Sequence, residues 1–358
     1  VFAWEEGAVG KDLCNHFYPI SIIEKEKILK KCEAIGIQGI TSISSDLAMP
    51  TVNYVANQMN LIGNSLDCSF VTTNKYAMRQ RLSGHNLPCP RYKKINSFDH
   101  WVTDDFAFPL IVKPTDRSGS RGVAKIKTGE KVKYALQSAL SESFVNEAII
   151  EEFIEGREIS VEMVSWKGTH HFITCTHKVC TGEPYFVEIE QHVPANLSTD
   201  LESRIIALVK ETLTVLGVEY GASHSEILIT DDGEIFIVEI GARMGGDNIG
   251  SDLVKLFTGY DFVKGVIEIA LGEFTLPQIM QLKHAGIFYL TPKAGRVTAI
   301  QNNSADFQEI VCSDILVEVD DIIEFPVTNS SQRSGYFIYA SDKLVSINPE
   351  EVINIITE

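Results

Sequence analysis

The chain has 358 residues, 44% of them hydrophobic and 22% charged, a composition suited to two or three soluble globular domains around a sizeable core. Its formal net charge of −17 opposes association with the nucleic-acid backbone, and no apolar run of membrane-spanning length occurs, so we expect neither a nucleic-acid nor a membrane partner. Seven cysteines are scattered with no CxxC pair, as expected of reduced thiols in a cytoplasmic protein.

In chain order, the opening "VFAW" is strand-like and lacks an initiator Met, which leads us to expect residues upstream of Val1; processing or a cloning boundary would give the same start. "IIEKEKILKKCEAIG" carries apolar residues at helical spacing and stops at Gly36. "IQGITSIS" reads as a short strand, and "TVNYVANQMNL" and "NKYAMRQRLSG" read as helices. From about residue 106, "FAFPLIVKP" and "GVAKIK" are expected strands around a polar, glycine-bearing loop, followed by a helix at "KVKYALQSALSES". "EAIIEEFIEGREISVEMVSW" reads as two strands kinked at Glu155-Gly156. Strands follow at "HHFITCTHKV" and "PYFVEIEQHVP", then an amphipathic helix at "LESRIIALVKETLTVLG". The region after about 286 is strand-rich, with "SGYFIYAS" and a last helix at "PEEVINIIT".

Chemistry concentrates in a few places. "HSEILIT" and "IFIVEI" flank "DDGE", where Asp232-Gly233 signals a two-residue hairpin turn. That turn places Glu226 directly across from Glu239, with Ile227 opposite Val238 and Ile229 opposite Phe236. Two facing carboxylates repel. A shared proton, Arg243 or a bound Mg²⁺ would offset this; a solvent-screened edge pair is the bland alternative. Arg243 can grip a phosphate in bidentate fashion, and the glycines Gly245 and Gly246 let backbone approach a ligand closely. Lys113 ends a buried strand, where a lysine is costly unless it meets an anion. The loop Ser118-Gly119-Ser120-Arg121-Gly122 can form an anion nest, although a plain hairpin turn would look the same. It is neither a Walker A loop nor a GxGxxG fingerprint. His171, Cys175 and His177 share a strand face but match no familiar zinc spacing.

Taken in order, "NKYAMR", "LIVKP", "SGSRGV", "EEFIEGRE", "HSEI" and "VEIGARMGG" resemble the ATP-grasp superfamily over Asn74 to Gly246. The resemblance implies an α/β and α+β architecture. An N-terminal parallel α/β domain would span 1–74, an ATP-grasp domain 75–285 with a lid subdomain at about 106–155, and a C-terminal α+β region 286–358. Lys75 and Lys113 then resemble the two lysines that hold ATP phosphates, and Ser118 to Val123 the mobile lid loop. Glu151, Glu152, Phe153 and Ile154 resemble the adenine hinge, and Glu158 the ribose carboxylate. Glu226 and Glu239 resemble the Mg²⁺ ligands, with Mn²⁺ as an alternative ion, and Arg243 resembles the arginine beside the transferred phosphoryl group. Many members have Asn where this chain has Gly241, which puts the second metal in question.

Within the superfamily "GASHSE", "THKVCTGEPYFVEIEQHVPA" and "SSQRSGY" look most like the L-amino acid ligases that form dipeptides. The implied activity is ADP-forming carboxylate–amine ligation through an acyl phosphate, with small-molecule acid and amine substrates and a homodimer as a common assembly. Lys178, His192, His224 and Arg333 join Gly245 and Gly246 as candidate substrate contacts. Two other readings stay open: a bicarbonate-using carboxyphosphate enzyme of the biotin carboxylase or carbamoyl phosphate synthetase type, and a non-catalytic nucleotide-binding module.

Overall fold

The structure is a computed structural model that describes residues 1–97, 106–183 and 185–358. The first stretch is helical: α1 (Lys25–Ile35), α2 (Met49–Gln58), α3 (Leu66–Thr73) and α4 (Lys75–Gly84). Helix α1 buries Ile28 and Cys32, one turn apart, and ends at Gly36, whose φ of 66° is the left-handed cap that glycine adopts without strain. Asn74 ends α3 and caps α4, its side chain accepting from the Ala77 amide, so a single residue separates the two helices and fixes Lys75 at the start of α4.

The strand expected at residues 37–44 does not form. A parallel strand needs ladder partners, and the first 74 residues supply only one isolated bridge, Phe2 to Tyr18. The segment is extended and pinned elsewhere: the Ile43 carbonyl accepts from the Met244 amide at 3.1 Å. Gly39 lies so close to the chain that a Cβ there would meet the Ala270 carbonyl at 2.5 Å.

Strands β1 (Tyr92–Ile95), β2 (Leu110–Pro114), β3 (Ala124–Ile126) and β4 (Ala148–Glu152) form an antiparallel sheet in the order β1-β4-β2-β3. Helix α5 (Val132–Glu142) covers it, with Leu136 and Ala139 packed on Leu110, Val112 and Ile150. β5 (Arg157–Trp166) and β6 (Thr169–Cys180) then open a larger sheet that takes in β7 (Glu188–Val193), β8 (Gly221–Ile229) and β9 (Ile235–Gly241). Helix α6 (Thr199–Val215) lies between β7 and β8 in sequence; its Ile205, Val209 and Leu213 share a core with Val161, Ile227 and Ile237 of the sheet and with Met78 and Leu82 of α4. Helices α7 (Val254–Thr258) and α8 (Phe262–Ala270) bury a second stripe, where Phe257 and Phe262 join Val164 and Ile287.

The C-terminal stretch adds β10 (His284–Tyr289), β11 (Gly295–Asn302), β12 (Ile310–Ile315), β13 (Ile322–Ile323), β14 (Gly335–Ser341), α9 (Pro349–Val352) and β15 (Ile353–Thr357). The large sheet runs β12-β14-β10-β7-β6-β5-β8-β9, so β10 joins the C-terminal strands to β7. The remaining strands make a small sheet in the order β13-β11-β15. The final helix expected at "PEEVINIIT" is only one turn long. Ile353, Ile355 and Ile356 are β-branched residues that suit a pleated surface, and they pair with β11 instead. Among the described residues no helix is long and apolar enough to cross a membrane.

A buried histidine ties the β5–β6 hairpin to α6. His170 Nδ1 meets Ser165 Oγ at 2.8 Å and Nε2 meets Thr214 Oγ1 at 3.1 Å. Burial disfavours the imidazolium and lowers the His170 pKa from 6.5 to about 4. The neutral ring is therefore fully in place above pH 6.5. Between pH 6.5 and about 4 the unfolded chain takes up a proton that the folded one resists, so folding stability falls on acidification through this window. Chemical denaturation from pH 7.5 to 4 should show this acid slope, and His170→Gln should flatten it.

Candidate active site

The site is built around the β8–β9 hairpin. Glu226 does face Glu239, but not by the expected route. The turn is one residue longer than read: Ile229 pairs with Ile235, and the loop closes where the Thr230 amide donates to the Glu234 carbonyl. Gly233 takes φ 82° in that loop. The register near the turn is thus displaced, so that Ile227 faces Ile237 and Leu228 faces Phe236. A β-bulge between the Glu226 and Ile227 pairs inserts one residue, Val238, and restores the facing glutamates. The Val238 carbonyl accepts from Arg79 Nη2 at 2.6 Å, and the Ile237 amide donates to the Pro88 carbonyl at 2.9 Å. Two departures of opposite sign therefore leave the facing glutamates where a simple hairpin would put them.

Each of these carboxylates has a lysine partner. Lys75 Nζ bonds Glu239 Oε1 at 2.6 Å and the Arg117 carbonyl at 2.8 Å. A lysine at a helix start meets the positive end of the helix dipole, a placement favourable only with an anion close by. Lys178 sits among three carboxylates, with Nζ at 2.7 Å from Glu158, 2.7 Å from Glu226 and 3.2 Å from Glu188. Burial works against the Lys178 charge, yet the three carboxylates outweigh it and hold its pKa well above the usual lysine value. Burial likewise opposes the Glu226 charge, while Lys178 and His224 hold its carboxyl well below the usual range. Glu158, Glu188 and Glu226 are close enough to chelate a metal, but the Lys178 ammonium already fills that position.

Glu226 and Glu239 suit a hard divalent cation better. Their side chains are partly exposed to the cleft, and among the described residues Oε2 of each carries no hydrogen bond. The zinc arrangement weighed for His171, Cys175 and His177 is not formed: His171 stacks on Phe274, Cys175 joins the α6 core, and among the described residues only the glutamate trio clusters with metal-ligand spacing.

On the opposite wall, Lys113 Nζ pairs with Glu151 Oε2 at 2.7 Å, and Arg79 Nε lies 2.7 Å from Glu151 Oε1. Burial lowers the Lys113 pKa, and Arg79 and Lys75 add to this against the pull of Glu151. The Glu151 carboxylate is therefore turned inward and committed. In the expected hinge, the Glu152 and Phe153 amides donate to the Arg91 and Pro109 carbonyls, which leaves the Ile154 amide without a partner among the described residues. Gly119, Ser120 and Gly122 all take left-handed φ in the glycine loop, and Ser120 Oγ donates to the Phe186 carbonyl at 3.2 Å.

These walls enclose a cleft of ≈ 510 Å³. It brings together Lys75, Lys113, Ser118, Gly119, Ser120, Val123, Glu151, Glu152, Phe153, Ile154, Glu158, Lys178, Glu226, Glu239 and Arg243. Gly122 packs behind the loop, where a Cβ would meet Pro114 at 3.0 Å and Glu142 at 3.2 Å. The other candidates lie outside. His224 Nδ1 is bonded to the buried Glu162, and its Nε2 lies 3.6 Å from Glu226; burial resists its charge, but Glu162 raises its pKa to about 9. Glu162 also accepts from the Gly245 amide at 2.9 Å. His192 is held between Glu190, at 2.9 Å, and the Tyr339 hydroxyl, at 3.0 Å. Gly245, Gly246 and Arg333 line a second cavity of ≈ 370 Å³.

Arg243 reaches the cleft already paired. Its Nε and Nη2 bond the two Asp46 oxygens at 2.8 and 2.7 Å. Burial opposes its charge, and Asp46 raises its pKa above the usual arginine value. Asp46, Arg79, Glu162, Glu188 and Asp247 were missed in the sequence. Two had a signal: Arg79 follows Lys75 at i+4 on one helical face, and Glu162 follows Glu158 and Ser160 at strand period. Asp46 and Asp247 sit in irregular segments and meet partners 197 and 86 residues away.

Residues 106–252 match the family described as ATP-grasp domain. The uncharacterized protein y4rH of Sinorhizobium fredii is 26% identical over 247 residues, 67% of this chain and 50% of that protein. The match thus spans half the length of that relative. The D-alanine–D-alanine ligase of Francisella tularensis subsp. holarctica is 27% identical over 219 residues, 58% of this chain and 70% of the ligase. Among solved structures, the L-amino acid ligase from Bacillus licheniformis superposes with a TM-score of 0.83 at 21% identity, covering 96% of this chain and 88% of that one. Phosphoribosylglycinamide synthetase from Anaerococcus prevotii gives 0.73 at 20% identity, covering 97% and 90%. Residues 106–252 are thus similar to an ATP-grasp domain, and the chain has the ATP-grasp fold.

Lys178→Met removes the one cation shared by three acids. It should lower stability to urea at pH 7.5 by about 3–5 kcal/mol, the range for breaking a buried ion pair. Recovery of that loss at pH 5, where carboxylates begin to neutralise, is the expected companion result.

Proposed function

We propose that this ATP-grasp chain is an ATP- and Mg²⁺-dependent ligase that activates a carboxylate as an acyl phosphate and joins it to an amine. An amino acid is among its substrates, and the products are an amide or dipeptide, ADP and phosphate. The observation that carries this reading is the facing pair Glu226–Glu239 in a cleft that also presents Lys75, Lys113 and a glycine loop.

Nucleotide fits this cleft by chemistry. The apolar side chains of Ile111, Val123, Ile154 and Leu228 suit an adenine ring, and the Ile154 amide is available to its edge. Glu158, at the cleft wall, would accept from ribose hydroxyls. Lys75 and Lys113 supply positive charge for the phosphates, and the Ser118–Val123 loop covers them with backbone donors. Glu226 and Glu239 would hold Mg²⁺, which when bound supplies charge neutralisation beside the transferred phosphoryl group.

In the first step a substrate carboxylate oxygen attacks the terminal phosphorus and ADP leaves. In the second, an amine nitrogen attacks the acyl carbon, phosphate leaves, and the nitrogen gives up a proton to water. Arg243, bonded through Nε and Nη2 to Asp46, would accompany the phosphoryl charge. The loop excludes water that would hydrolyse the acyl phosphate. No protein nucleophile is required.

ADP release should depend on ATP, Mg²⁺ and at least one amino acid, followed by a coupled assay over an amino-acid panel. Stimulation by bicarbonate alone would identify a carboxyphosphate enzyme instead, and tight ATP binding without turnover would identify a non-catalytic module. Glu226→Gln and Glu239→Gln should each lower kcat/KM by about 10²-fold or more. Glu234→Gln, on the exposed hairpin turn, should leave it unchanged.

A further inference from the structure

We infer that Arg79 is the positioning residue of the phosphate-binding wall, although it lines no part of the cleft. By sharing Glu151 with Lys113 it keeps the lysine available to a phosphate. By bonding Val238 it holds β9 in the bulge that brings Glu239 opposite Glu226. This rests on the nucleotide-binding part of the proposed function and adds to it a residue that no contact with the nucleotide would reveal.

The chain builds Arg79 into a place from which two sheets can be reached. Asn74 caps α4, the Lys75 amide donates to the Thr115 carbonyl at 2.7 Å, and Met78 and Leu82 are buried in the core of the large sheet. The helix is therefore fixed at its start and along one face. Arg79 follows Lys75 by one turn and is 0% exposed. Its Nε lies 2.7 Å from Glu151 Oε1 on β4, and its Nη2 donates to the Val238 carbonyl on β9 at 2.6 Å. β4 and β9 belong to different sheets, and one planar guanidinium spans both, which the point charge of a lysine cannot do. A guanidinium buried for stability alone is a poor choice here. Among the described residues Nη1 has no hydrogen-bond partner, and apolar side chains often replace buried ion pairs without loss of stability.

The charge count explains the shared acid. Glu151 is 2% exposed and Lys113 6%, and Lys113 Nζ lies 2.7 Å from Glu151 Oε2. The charges that act most on Lys113 are Glu151, Arg79 and Lys75, and Lys75 has Glu239 as a partner of its own. Two buried cations therefore divide one carboxylate, and of the two only Lys113 lines the cleft. A buried cation with half a partner calls for an anion, and an arriving phosphate meets that need. Without Arg79, Lys113 and Glu151 would form a neutral pair with no such demand.

The test is a double-mutant cycle read by calorimetric titration of the full chain with the Mg²⁺ complex of β,γ-imido-ATP. Arg79→Met should weaken binding about tenfold or more, as loss of a charge-assisted hydrogen bond to phosphate implies. Arg79→Met/Glu151→Gln releases Lys113 from its neutral pair and should recover about threefold or more of that loss. Damage to packing alone would instead be compounded by the second substitution. Arg79→Lys should fall between wild type and Arg79→Met, and under turnover it should raise KM for ATP while KM for the amino acid stays unchanged. Wild-type affinity in Arg79→Met, or a double variant that binds no better than Arg79→Met, would overturn the proposal. If Arg79→Met does not fold, Arg79→Gln carries the same two comparisons. A wild-type chain that binds no nucleotide refutes the nucleotide site and this inference with it. Nucleotide binding with the expected cycle but no ADP release refutes the ligase step and leaves the role of Arg79 standing.

Discussion

Like charges gathered on one sheet face are the constraint around which the rest is arranged. Glu158, Glu188, Glu226 and Glu239 converge, and two ammonium groups, Lys75 and Lys178, stand among them. Burying any of these charges alone would cost several kcal/mol. The lysines make the cluster tenable, and Arg243 and His224, each also paired with an acid of its own, add positive charge beside Glu239 and Glu226. Among the described residues the Oε2 atoms of Glu226 and Glu239 carry no hydrogen bond. Lys75 comes from the start of α4 and Lys178 from near the end of β6, so α4 must pack on the large sheet before the charges balance.

The flanking segments serve the same cluster. Asp46, in the irregular N-terminal segment, holds Arg243 beside Glu239, and the Ile43 carbonyl holds the loop after β9 through the Met244 amide. From the other end of the chain, Arg333 grips Asp247 in that same loop. The loop is thus tied on two sides by segments that make no ladder with β9. Pre-orienting an arginine in this way removes the need to order it when an anion arrives.

The hairpin shows how a sequence reading can reach a correct pair through an incorrect register. A two-residue turn and a regular ladder put Glu226 across from Glu239. The chain instead uses a longer turn and one bulge at Val238, and the displacements cancel. The bulge has a physical reason outside the hairpin, since β9 is an edge strand whose outer groups bond Arg79 and Pro88. The helix over residues 25–35 needed no such help, because Ile28, Cys32 and the Gly36 cap are local. "PEEVINIIT" divided between a turn and a strand because the partner of its isoleucines, β11, lies some 50 residues away.

The sequence by itself determined the local pieces: helix stripes and caps, alternating strands, a glycine loop, and the acids and lysines at their ordered spacings. These depend on periods of two and 3.6 residues and on turn chemistry, which act between near neighbours. Tertiary structure alone decided which charges meet. Lys178 found three acids rather than solvent, Glu151 turned inward to Arg79 and Lys113, and Asp46 and Asp247 each met an arginine. Coulombic pairing carries no sequence period, and its strength is set by burial and distance, which exist only once the sheets and their flanking segments have packed.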